Sequence, residues 1–166
     1  MDTYNHFDYG QKLALKLKAI ENGEKDKGFF EATEQEDLPS LNERISSASG
    51  TILIAVDTGE SAFDWQNSDS LMEMPYYAFA IVQQTTSGDV QSIISAQQNC
   101  KQIAKEIMAK MLQDSHARKE GLEYLERKSF HIKSFGPVGG NFYGVMLFFF
   151  FNRGVNYTLN PEMWKD

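Results

Sequence analysis

The sequence holds a single cysteine, Cys100, among 166 residues, so no disulfide forms within one chain and a cysteine-stapled scaffold is excluded. Cys100 falls in a helical apolar pattern with no basic neighbourhood and no partner histidine. It reads as a small buried hydrophobe, not a nucleophile. Long apolar runs are scarce as well. The longest, Phe142 to Phe151, is interrupted only by Gly144 and falls short of the ~20 residues that a helix needs to cross a bilayer. No charged segment leading into an apolar one opens the chain, so no secretory leader is expected, and Asn156-Tyr157-Thr158 reads as a chance sequon. Basic residues are the minority: 16 Lys and Arg stand against 23 Asp and Glu, a net charge of -7. That leaves no basic footprint for gripping nucleic acid and no polybasic stretch for an anionic membrane. An acidic balance supports solubility and suits basic or protein partners.

What is present is an ordinary globular composition, 42% hydrophobic and 23% charged, and a length that implies one domain over 1–166. The coarse reading is an N-terminal helix over 6–22, a core sheet with a long helix over 51–152, and a C-terminal tail over 153–166. In the first helix Tyr9, Leu13, Leu17 and Ile20 share a face, and Asn22-Gly23 supplies the stop. Gly28 to Thr33 reads as a short strand. Residues 34–50 read as a long polar loop with one helical turn near Leu38 to Ile45. Thr51 to Val56 is an almost continuous β-branched run, the pattern of a strand covered on both faces. Asp57 to Pro75 reads as a second long loop, carrying the aromatic pair Phe63 and Trp65; loops of this length tend to be functional. Tyr76 to Gln84 is the next strand.

The clearest element is a helix from Val90 to Gln113. Ile93, Ala96, Cys100, Ile103, Ile107 and Met111 form one face, and Lys101, Lys105 and Lys110 lie off it. Asp114 to Lys128 is highly charged, with room for a short helical turn. Ser129 to Phe135 and Phe142 to Asn152 read as an antiparallel hairpin around a Gly136-Pro137-Val138-Gly139-Gly140-Asn141 turn. The fold class expected is therefore α+β: an antiparallel or mixed sheet with one long helix and an N-terminal helix packed on it.

The last strand is apolar on both faces. Phe142, Met146, Phe148 and Phe150 point one way; Tyr143, Val145, Leu147, Phe149 and Phe151 point the other. One set packs under the long helix. The other needs a second cover, from the N-terminal helix or from a neighbouring subunit, since obligate interfaces resemble a core cut in half. The expected interface is thus Tyr143, Val145, Leu147, Phe149 and Phe151, with Phe63 and Trp65 as aromatic anchors.

Motifs with chemistry are few. Asp57-Thr58-Gly59 after an apolar strand resembles the catalytic turn of aspartic proteases, in which two aspartates share a proton. With one such turn the chain would act as a homodimer, as retroviral proteases do. Glu60 stands where those proteases favour a small side chain, and a strand-ending turn is the plainer reading. Gly136 to Gly140 lacks the Lys-Ser/Thr ending of a phosphate loop. His6, His116 and His131 share no metal-ligand spacing. Asp64, Asp69 and Glu73 lack the regular spacing of a calcium loop, and Arg127, Lys128 and Lys133 are too few for a nucleic-acid patch. No catalytic, metal or cofactor site is expected.

A resemblance enters over about Ser70 to Asn152. It rests on the Tyr76–Gln84 strand and on a long helix carrying Gln97-Gln98 and Ile103-Ala104. Phe130-His131-Ile132, Gly136-Pro137-Val138 and Asn141-Phe142-Tyr143-Gly144-Val145 complete it. This order resembles neck and tail-terminator proteins of tailed phages and of related elements in Bacteroidetes-type bacteria. The resemblance implies a non-enzymatic ring, commonly a hexamer, that caps the tail tube and joins it to the head. It also implies a place in the virion after assembly in the host cytoplasm, other neck and tail proteins as partners, and DNA passing through the ring. The alternatives are a homodimeric aspartic protease using Asp57 and a small protein-interaction module of the immunity type.

Overall fold

A computed structural model describes residues 3–33, 38–67 and 69–165. It has the expected α+β architecture: a mixed sheet with the long helix and the N-terminal helix packed on it. The strands are β1 (Phe29–Thr33), β2 (Thr51–Asn67), β3 (Ser70–Gln84), β4 (His131–Val138), β5 (Phe142–Phe150) and β6 (Arg153–Gly154). The helices are α1 (His6–Lys16), α2 (Leu38–Ser46) and α3 (Val90–His116). The sheet runs β1-β2-β3-β5-β4, with β6 pairing β3 off that path. Only β1–β2 is parallel among these pairs.

Helix α1 starts where the Asn5 side chain accepts the Asp8 N–H, satisfying one of the unpaired first-turn donors. It ends at Lys16, short of the Asn22 expected. Leu17 turns extended, and a turn closed by Ile20 N–H to the Leu17 carbonyl at 3.1 Å returns Ile20 to the core. Ile20 therefore continued the apolar periodicity without being helical. Helix α3 opens on Asp89, which accepts the Gln91 N–H, and it buries Ala96, Cys100, Ala104, Ile107 and Met111. Ile93 and Ile103 are half-buried on its flanks.

Alternation along the strands divides the core in two. One cluster joins Leu53 and Ala55 of β2, Phe79 and Ile81 of β3, and Val145, Leu147 and Phe149 of β5 to Tyr9 and Leu13 of α1 and the α3 stripe. The other joins Ile52 and Ile54, Ala78 and Ala80, and Phe142 to Leu41 and Ile45 of α2. Helix α2 is thus a nine-residue element on the opposite face, where one turn was expected; residues 34–37 of that stretch lie outside the described residues.

This arrangement corrects the expected interface. Val145, Leu147, Phe149 and Phe151 are buried within the chain's own core, because α1 and α3 lie side by side on that one face. They need no neighbouring subunit for cover. Tyr143 is half-buried at the start of the strand. The opposite face of β5 is the less completely covered one: Met146 and Phe148 are half-buried against the smaller cluster.

A second correction concerns residues 57–67 and 69–75, which are not a loop; Ser68 lies outside the described residues. Strands β2 and β3 continue through them as an antiparallel ribbon, pairing Ser61 with Pro75 through Trp65 with Leu71 and Asn67 with Ser70. The register shifts between Asp57 and Ser61, where Gly59 takes a φ of 66°, a backbone conformation that glycine adopts without Cβ strain. Pro75 fits inside β3 because its carbonyl faces the end of β5, accepting Phe151 N–H at 3.2 Å. The donor it lacks would face the break between β5 and β6. In the β4–β5 hairpin, Gly136, Pro137 and Val138 belong to β4, beside a bulge and a cis Gly136–Pro137 bond. The turn itself is Gly139-Gly140-Asn141.

Candidate interaction surface

Beyond the Asp57–Tyr77 pair, β2 and β3 leave the two helical layers behind. From Ser61 to Asn67 the ribbon extends roughly 20 Å at the usual rise per strand residue. Neither side of it is buried: Gly59 to Asn67 are exposed except for Ala62. Phe63 is 59% exposed and Trp65 is 55% exposed. Exposed aromatics of this size on a projecting element make it a candidate interaction surface. The pair expected on a long loop stands on a strand arm instead.

The C-terminal segment is laid against the arm. Arg153 and Gly154 pair Glu73 and Met72, and Val155 N–H donates to the Leu71 carbonyl at 3.0 Å. The Arg153 Nε and Nη2 both donate to Glu73 Oε2, at 3.1 and 3.0 Å. Tyr157 then meets Trp65 edge-on. Past it, Leu159, Met163 and Trp164 are exposed. The sequence signals for this were Tyr157, Leu159 and Trp164; among the described residues only Tyr157 has a ring partner.

The charge of the arm is of one sign. No Lys, Arg or His occurs from Thr51 to Gln84, while Asp57, Glu60, Asp64, Asp69 and Glu73 do. Glu73 is held by Arg153 and also accepts from Ser61 Oγ at 3.1 Å. Glu60, Asp64 and Asp69 face solvent. Among the described residues no group of three or more His, Cys, Asp or Glu is placed to hold a metal ion.

At the base of the arm a cleft of about 380 Å³ opens between Tyr4, Pro75, Tyr77, Tyr124, Phe151 and Arg153. Next to it lies a residue that sequence reasoning treated only as a helix start. His6 is buried among the rings of Tyr77, Phe79 and Phe149. Its Nε2 donates to the Ala78 carbonyl at 2.9 Å, and its Nδ1 accepts the Tyr4 hydroxyl at 2.8 Å. Both ring nitrogens are thus committed in the neutral form. Burial pushes its pKa down to about 4, against smaller raising effects from the Ala78 carbonyl and Asp57. The apolar run around Tyr77 and Phe79 was the available signal that the helix start would be buried.

Asp57 itself pairs with Tyr77 inside the β2–β3 ladder. Its Oδ1 accepts the Gly59 N–H at 2.9 Å, and Thr58 Oγ1 donates to the Tyr76 carbonyl at 2.7 Å. The Asp-Thr-Gly segment is therefore a bulge inside a continuing strand, where a strand-ending turn was expected. Gly139 N–H donates to Asn42 Oδ1 at 2.9 Å, so the glycine-rich turn is tied to α2. Cys100 is buried and its thiol pKa is pushed up to about 12 by desolvation, which leaves it unreactive in the folded chain.

Fold and surface together define a mixed-sheet α+β body bearing a two-stranded acidic, aromatic arm. The chain matches no family model, and neither the curated proteins nor the solved structures contain a significant match to it.

Proposed function

We propose that this chain is a structural subunit of a tailed-phage neck or tail, of the tail-terminator type, working as a ring of identical copies joined to other neck and tail proteins. The observation that carries the reading is the arm. A body that extends a ribbon beyond its helical layers, with Phe63 and Trp65 exposed, is suited to reach a neighbour, and closed rings are a common way to satisfy such surfaces in identical copies. The net charge of -7 supports a conduit that DNA traverses without sticking. The resemblance of the segment 70–152 to tail-terminator proteins supplies the particular position in the virion.

Native mass measurement with negative-stain imaging of the purified protein tests this. The expected result is an annular particle of several 18.9 kDa chains with an open centre. A single-chain particle at high concentration would remove the ring and leave the small interaction module as the better reading.

A further inference from the structure

On the side of the sheet away from α1 and α3, helix α2 sits toward the β4–β5 turn. Asn42 accepts the Gly139 N–H, and Leu41 and Ile45 pack with Phe142, Ile52 and Ile54. Beyond it runs a half-covered stripe whose layout the strand registers fix. Tyr76 of β3 pairs with Phe150 of β5, their ring centroids 5.0 Å apart. From Phe150, alternation leads through Phe148 to Met146, and Met146 pairs with Lys133 of the edge strand β4. From Tyr76 it leads the opposite way through Met74 to Met72, and Met72 pairs with Asp64 of the arm. Directly paired residues share a face, so all of these lie on one side. Phe63, paired with Glu73, and Trp65 lie on the other. The apolar members are half-buried, while Lys133 and Asp64 are exposed. Among the described residues neither charge has an ion-pair partner.

We infer that this stripe is a two-fold contact between two copies of the chain. The occupant is a second copy because the stripe is complementary to itself. Its middle is the Tyr76–Phe150 pair, and each end lies four residues along the strands from that pair, roughly 13 Å at the usual rise. One end is basic and the other acidic. A two-fold axis between the facing sheets, crossing the stripe at its middle, therefore sets Lys133 of each copy against Asp64 of the other. It covers Met146 and Phe148 of one with Met72 and Met74 of the other. Facing sheets pack about 10 Å apart, a gap that a lysine and an aspartate side chain bridge together. Methionine and aromatic side chains are enriched at such interfaces. The contact does not rest on the ring reading. It is isologous and closes at two copies, and it leaves Phe63 and Trp65, on the other side of the arm, to the ring.

Cross-linking tests it, with circular dichroism as the folding control. Lys133→Cys makes one protein and Asp64→Cys another; both positions are exposed, and Cys100 is buried. A short bis-maleimide is added to each protein alone and to an equal mixture, and linked chains are read by denaturing electrophoresis. In the mixture the two introduced thiols face each other, and Asp64 of the first protein still meets Lys133 of the second. Linked pairs are expected at least tenfold above the yield from either protein alone, where the two thiols of a pair stand at opposite ends of the stripe. A chain carrying both substitutions is expected to stop at linked pairs, because a two-fold contact closes; a ladder of longer products would overturn the two-fold arrangement. No excess in the mixture overturns the contact itself, whatever particle native mass measurement shows, so its failure is distinct from failure of the ring reading.

Discussion

The ring of Tyr157 meets the ring of Trp65 at 5.0 Å between centroids and 67° between planes, so the C-terminal segment is fastened to the outer half of the arm. Edge-on pairs of this kind contribute about 0.5–1.5 kcal/mol beyond area burial, enough to hold a segment with few other contacts. Tyr157→Ala is expected to leave the melting temperature of the body unchanged and to speed proteolysis within residues 155–165 several-fold. Limited proteolysis followed by mass spectrometry reads this directly. Unchanged cleavage would mean that β6, through Met72 and Glu73, and the Val155 hydrogen bond to Leu71 anchor the segment without the ring contact.

The two groups of aromatics separate folding from assembly. Phe149 is 1% exposed and lies among His6, Tyr77, Phe79, Phe130 and Phe151. Phe149→Glu would bury an unpaired carboxylate there, at a cost of several kcal/mol, comparable with the whole stability of a domain. This variant is expected to lose its cooperative unfolding transition by circular dichroism. Trp65→Glu on the open arm is expected to keep that transition within about 0.5 kcal/mol of wild type. A folded Phe149→Glu protein would show that the strand is not packed under α1 and α3.

Gly144 makes a third case. It lies in β5 opposite Val82 of β3, and a Cβ added there would overlap the Ile81 carbonyl oxygen and sit 2.8 Å from Val82 Cα. These are backbone atoms of the central strand, with no side chain free to move away. Gly144→Ala is expected to destabilise by about 1–3 kcal/mol, read as a lower denaturation midpoint with an unchanged slope. A stability equal to wild type would contradict the close approach of β3 and β5.

Legibility in the sequence tracked burial. The α3 stripe and the β-branched run of β2 read correctly because a buried face leaves a periodic apolar record. The arm left none: with both sides in solvent, residues 58–67 carry Gly, Glu, Ser, Asp and Asn as freely as a loop does. What holds them extended is the ladder to β3 and cross-strand pairs such as Trp65 with Leu71 and Ala62 with Met74. The signal that was available was Phe63 and Trp65 alternating with Asp64, followed by a turn-forming Asn67-Ser68-Asp69 and a second β-forming run. The faces of β5 were assigned to the correct residue sets, but which set lay outermost depends on α1 and α3 sharing one side. Periodicity along a single strand does not encode that.

The buried His6 gives a pH dependence with a definite sign. In the unfolded chain its imidazole titrates near 6.5. In the folded chain burial holds it down to about 4, outweighing the raising effects of the Ala78 carbonyl and the Asp57 carboxylate. Between those values the unfolded state binds the extra proton, so stability falls as pH drops from 6.5 toward 4 and is fully present above 6.5. A shift of that size corresponds to about 3 kcal/mol. His6→Gln offers the control. Its amide N–H reaches for the Ala78 carbonyl and its amide oxygen for the Tyr4 hydroxyl, the two bonds His6 makes, and it does not titrate. Carboxylates elsewhere affect both proteins alike, so the difference between their denaturation free energies isolates His6. That difference is expected to favour wild type by about 3 kcal/mol more at pH 7 than at pH 4, with nearly all of the change below pH 6.5. A constant difference across this range would show that His6 is protonated, or solvent-reached, in the folded chain.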